Sequence, residues 1–106
     1  MATKAEQEEN ERNYRILTLS ELANRHAELN DTDKALAAYR MCYELLLLAK
    51  NRRGQAMVLN NMGLVHVQKR DLQPAMSCFE TAYKLYELLD DRVGKADQQG
   101  NMGSVF

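Results

Sequence analysis

Along residues 35–49 the apolar positions Ala35, Tyr39, Cys42, Leu46 and Ala49 fall at spacings of four and three. Ala75, Phe79, Ala82, Tyr86 and Leu89 repeat those spacings farther along. Such spacing draws a stripe down one face of a helix with about 3.6 residues per turn. Leu19, Leu22, Ala23 and His26, then Leu59, Met62, Gly63 and His66, carry the same logic over shorter stretches. Polar clusters separate the stripes: Asn30-Asp31-Thr32-Asp33, Asn51-Arg52-Arg53-Gly54, Asp71 ahead of Pro74, and Asp90-Asp91-Arg92-Val93-Gly94. Their short side chains cap helix starts and compete with the helical backbone. The pattern predicts helices over about 12–29, 32–50, 54–69, 72–90 and 94–106. Residues 1–11 hold Glu6, Glu8, Glu9 and Glu11 with almost no apolar content. They read as an acidic N-terminal extension, either a solvated continuation of the first helix or a disordered tail.

The sequence falls on itself when slid by 40 residues. Leu19 meets Leu59, Ala23 meets Gly63, His26 meets His66, Ala35 meets Ala75, Tyr39 meets Phe79 and Leu45 meets Leu85. The register continues into a third copy, where Arg92 and Gly94 match Arg52 and Gly54, and Asn101-Met102-Gly103 matches Asn61-Met62-Gly63. The organisation implied is one helix pair in residues 12–50, a second in 51–90, and the first helix of an incomplete third unit in 91–106. Gly63 and Ala75 are expected where two helices cross, because a larger side chain would hold the backbones apart.

Composition narrows the function. The chain has 106 residues, a formal net charge of −1 and no basic stripe with interleaved aromatics, which argues against nucleic acid or an anionic membrane as partner. The longest apolar run, Leu45 to Ala49, is far short of the roughly 20 residues a membrane-spanning helix needs, so membrane insertion is not expected. Cys42 and Cys78 are too few and too far apart for a disulfide framework, and read as buried, reduced thiols of a cytoplasmic protein. His26 and His66 occupy the same register position in adjacent units, with no further ligands at three or four residues' spacing, so packing rather than metal binding is expected of them. No nucleophile–base spacing and no glycine-rich phosphate loop is present. The expectation is a non-enzyme without cofactor or metal.

Leu59, Met62, Gly63, His66, Ala75, Phe79 and Ala82, with Leu19, Leu22, Ala23, His26, Ala35, Tyr39 and Cys42 in the first unit, fill a known signature. It resembles the tetratricopeptide repeat, although histidine stands at one aromatic position and the 40-residue period exceeds the usual length of about 34. The long units and the Asp-Arg-x-Gly junction resemble tetratricopeptide scaffolds related to Partner of Inscuteable and rapsyn. The resemblance implies an all-α helix-turn-helix solenoid, a right-handed superhelix of two full pairs plus a fifth helix, acting as an adaptor or scaffold that binds a peptide or helix of a partner protein in its concave groove.

Carried onto this sequence, the groove positions are Leu17, Ser20, Asn24, Ala27 and Glu28, then Met57, Asn60, Leu64, Val67 and Gln68, then Asp97, Gly100 and Ser104, with Asn61 and Asn101 beside the row. An asparagine amide donates to a peptide carbonyl and accepts from a peptide N–H at once. Relatives that clamp the acidic C-termini of heat-shock chaperones use two lysines, an arginine and two asparagines. Asn24 and Asn61 match the asparagines, but the basic places hold Ser20, Asp97 and Asn101, so such acidic tails are not the expected partner. At the C-terminus Met102, Val105 and Phe106 lack the second helix that would cover them. Either the chain is a piece of a longer array, or this edge is buried against another copy, so self-association through it is expected. A homo-oligomeric assembly module and a regulatory or sensor domain of a larger protein are the alternatives to an adaptor.

Overall fold

A computed structural model describes Met1–Val105. Five helices follow one another: α1 (Lys4–Glu28), α2 (Thr32–Leu48), α3 (Arg52–Gln68), α4 (Leu72–Leu88) and α5 (Arg92–Ser104). The fold is all-α, a helical repeat in which each helix packs chiefly on its neighbours in sequence. The Cα radius of gyration is 14.5 Å, against about 13 Å for a compact domain of this length. The shortest dimension, 17 Å, holds two layers of helices. One layer contains α1, α3 and α5, and the other α2 and α4.

The predicted elements are all present, with shifted ends. Residues 4–11 belong to α1, so the acidic extension is helical. Its start is capped by Thr3, whose Oγ1 accepts from the Glu6 N–H at 3.1 Å and donates to the Glu6 carboxylate at 3.1 Å. α2 and α4 stop two residues earlier than expected, at Leu48 and Leu88, and α3 and α5 start two residues earlier, at Arg52 and Arg92. The reason is a connection of one design used four times. Asn30, Lys50, Arg70 and Asp90 each adopt the left-handed conformation, with φ of 60°, 55°, 64° and 53°. The following residue, Asp31, Asn51, Asp71 or Asp91, donates its N–H back to His26, Leu46, His66 or Tyr86, at 2.8, 3.0, 2.8 and 2.9 Å. This closure satisfies the last carbonyls of each helix and hands the chain straight to the next N-cap.

The caps then diverge. Asn51 and Asp91 accept from the N–H groups of Gly54 and Gly94, both at 2.9 Å. Asp31 and Asp71 make no such bond. In α4 the matching residue is Pro74, which has no N–H to give. Asp31 instead lies 3.6 Å from Lys34, an exposed ion pair.

The core runs as a strip through the array. Ala35 and Ala75 are both fully buried at equivalent places, as are Cys42 and Ala82, and Tyr39 matches Phe79. Gly63 lies against Phe79: a Cβ built there would come within 2.8 Å of ring atoms Cδ1 and Cζ. Gly54 and Gly94 give the same close approach to Leu46 and Tyr86 of the preceding helix, so these junction glycines are packing residues as well as separators. Both cysteines are free and buried, and burial pushes both thiols up, away from the reactive thiolate. His66 is half-buried with its Nδ1 unpartnered, and burial lowers its pKa.

The expected C-terminal edge requires a correction. Val105 is buried against Ala75 and Phe79, and Met102 packs partly on the same cluster, because α5 lies down on α4. Val105 therefore does not stand on an open face, Met102 is half-buried, and Phe106 lies outside the described residues.

Candidate functional site

Asn24, Ala27 and Glu28 on α1, with Asn61, Leu64, Val65 and Gln68 on α3 and Tyr39 from α2, surround a depression of about 270 Å³. Six of these positions lie among the predicted groove residues. The helical repeat places them there: Asn24, Ala27 and Glu28 share one face of α1, and α3 presents the matching face beside it. Gln68 clasps the two units together, its Nε2 donating to Asn30 Oδ1 at 2.7 Å and to the Ala27 carbonyl at 3.3 Å. Lys69 pairs with Asp33 at 3.1 Å nearby.

Tyr39 was not anticipated as a site residue. Its hydroxyl donates a short hydrogen bond to Asn24 Oδ1. That fixes the orientation of the amide and turns its NH₂ away from Tyr39, free to donate. Burial raises the tyrosine pKa, with lesser contributions from Cys42 and Glu28, so the hydroxyl stays a donor at neutral pH. A signal was present in the sequence. In the second unit both partners change together, to Phe79 and Leu64, so the hydroxyl occurs only where an amide opposes it.

The second row of amides is engaged in holding helices. Asn60 Oδ1 accepts from Gln98 Nε2 at 3.0 Å and from Asn101 Nδ2 at 2.7 Å, and Asn60 Nδ2 donates to Asn61 Oδ1 at 3.3 Å. Gln98, also unanticipated, is 1% exposed, and its Oε1 has no partner. Asn60 and Asn101 therefore tie α3 to α5, while Asn61 faces the depression. Ser20 is turned inward, its Oγ 3.2 Å from Cys42 Sγ. Val67 packs toward Ala75 and Phe79, not outward, because it lies on the α4 side of α3. Leu17 and Met57, at equivalent register positions, are exposed outside the depression.

Chemically this surface offers amide donors and acceptors around an aliphatic patch. Among the described residues no group of three or more histidine, cysteine or carboxylate side chains could hold a metal, and no helix is long and apolar enough to cross a membrane. Stacked helix pairs with a furrow between first helices define an α-helical repeat array. The tetratricopeptide repeat model matches residues 14–88, well over half of the chain, and the protein belongs to that family. Members of the family generally mediate protein–protein interactions as scaffolds or adaptors, on a fold that is generally non-catalytic. A search of curated proteins gave no significant match.

Proposed function

We propose that this protein is a non-catalytic adaptor that holds a segment of a partner protein across the α1–α3 furrow. The observation that carries this reading is the convergence of Asn24, Asn61 and Gln68 with the exposed side chain of Leu64 around one depression. Peptide backbone is read by amides and an apolar anchor by Leu64, in keeping with how extended segments and helices are captured by repeat proteins. The carboxylates Glu28 and Asp97 and the lack of cations at Ser20, Asp97 and Asn101 speak against acidic chaperone tails as the ligand. The 40-residue units align it with scaffolds of the Partner of Inscuteable and rapsyn type, and two buried free thiols suit a cytoplasmic setting. Homo-oligomeric assembly through the C-terminal edge has less support, since Val105 is turned inward.

A displayed library of linear peptides, selected on the full chain and mapped by amide chemical-shift changes, tests the proposal. Perturbations should centre on Asn24, Asn61, Leu64 and Gln68, and Asn61→Ala should weaken the selected peptides by about tenfold, the equivalent of one amide pair. Selected peptides that perturb α2 and α4 alone would refute it.

A further inference from the structure

The most apolar groove is not in the α1–α3 furrow. Tyr14, Arg15, Thr18 and Leu19 of α1, with Met41, Glu44, Leu45 and Leu48 of α2, enclose about 430 Å³ on a side that no other helix covers. The repeat itself shows what such a face accepts. Forty residues on, the α1 stripe Tyr14, Thr18, Leu22 becomes Gly54, Val58, Met62. There α2 lies over it: Leu46 meets the Gly54 position, and Gln55 Nε2 donates to the Leu46 carbonyl at 3.1 Å. Val58 and Met62 are 5% and 9% exposed beneath that helix, whereas Tyr14 and Leu22 are 71% and 46% exposed.

We infer that the outer α1–α2 groove is a docking site for an amphipathic helix of a partner protein, seated on α1 much as α2 is seated on α3. The departures from the second unit describe that helix. Tyr14 in place of Gly54 bars the close approach made by Leu46, so the docked helix carries alanine or glycine there. It is displaced toward α2, where Met41 replaces the polar Thr81 and extends the apolar wall formed with Leu45 and Leu48. Arg15 replaces Gln55. α2 runs antiparallel to α3 and meets Gln55 with its last-turn carbonyls, so the docked helix brings its negative C-terminal end to the Arg15 guanidinium. Glu44 on the opposite rim takes a lysine or arginine. The partner segment is thus a leucine-bearing helix with a small residue near its C-terminus and a basic flank. This surface is separate from the α1–α3 furrow, and neither reading depends on the other.

A labelled synthetic peptide of residues 31–51 carrying Leu46→Ala, held helical by a lactam bridge, is titrated into the full chain and followed by fluorescence anisotropy and amide shifts. It should bind saturably, perturbing Thr18, Leu22, Met41 and Glu44. The double variant Met41→Lys, Leu48→Lys changes two exposed side chains and should keep its melting curve while binding at least about tenfold more weakly, a loss of two apolar contacts. Asn61→Ala should change this affinity less than about twofold. The peptide that keeps Leu46 should bind more weakly than the Leu46→Ala peptide, and Tyr14→Ala should reverse that order. No saturation at millimolar peptide, or binding indifferent to Met41→Lys, Leu48→Lys, overturns the inference. So does a chain dimer that dissociates in that double variant and competes with the peptide, which would make a second copy the occupant.

Discussion

Gly63→Leu is expected to be among the most damaging single substitutions in this protein. Gly63 is buried in the middle of α3, where an ordinary helix would favour alanine over glycine by about 1 kcal/mol. That preference is overridden by Phe79, which is fully buried and whose ring atoms would stand within 2.8 Å of a single added Cβ. A methyl group alone requires the ring to shift, and overpacking of this kind costs about 1–3 kcal/mol. Gly63→Ala should therefore be destabilising by about 1 kcal/mol net of its helix preference, and Gly63→Leu by about 3 kcal/mol or more. For a chain of this size each kcal/mol corresponds to about 4–8 °C in melting temperature. The cause is testable through coupling. Combining Gly63→Ala with Phe79→Leu removes the ring that the methyl meets, so the double variant should be more stable than the sum of its parts. The assay is thermal and urea unfolding, each followed by helical circular dichroism. A Gly63→Leu melting temperature within a degree or two of the parent, or strict additivity with Phe79→Leu, would refute the reasoning.

Lys50 and Arg70 sit at φ of 55° and 64° without the local hydrogen bonding that lets asparagine or aspartate tolerate that region, so Lys50→Gly and Arg70→Gly should each stabilise by about 0.5–1 kcal/mol in urea melts. Asn51→Ala and Asp91→Ala should each cost about 1 kcal/mol through the lost cap, while Asp71→Ala, which removes no cap bond, should cost distinctly less. Burial holds the folded-state pKa of His66 below its ordinary value, with Asp71 opposing and Lys69 and Arg40 reinforcing. The unfolded chain therefore binds that proton first. The His66 contribution is complete above about pH 6.5 and is lost as pH falls through the lower folded pKa. Melting temperatures at pH 7.5 and 5.5 should differ less for His66→Gln than for the parent. Binding at the α1–α3 furrow, read by amides and Leu64, should change only modestly between low and near-molar salt, and a steep fall measured by titration calorimetry would contradict it.

Helix number, type and order were determined by local information. The four-and-three spacing of Ala35, Tyr39, Cys42 and Leu46 specifies one helix face whatever it packs against, and the 40-residue register shows that the unit recurs. Even the missed N-cap at Thr3, with Glu6 three residues on, was written in nearby residues. Which side of a helix becomes a site depends on what lies over it, and that is a property of the packed array. Leu22 and Met62 are equivalent in sequence, yet one is exposed and the other buried, because α2 covers α3 and no described helix covers that side of α1. Tertiary packing likewise turned Val67 and Val105 toward Phe79, committed Asn60 to Asn101, and brought Tyr39 up beneath Asn24. Period fixes the face of a helix, but only its neighbours decide whether that face is core, clasp or groove.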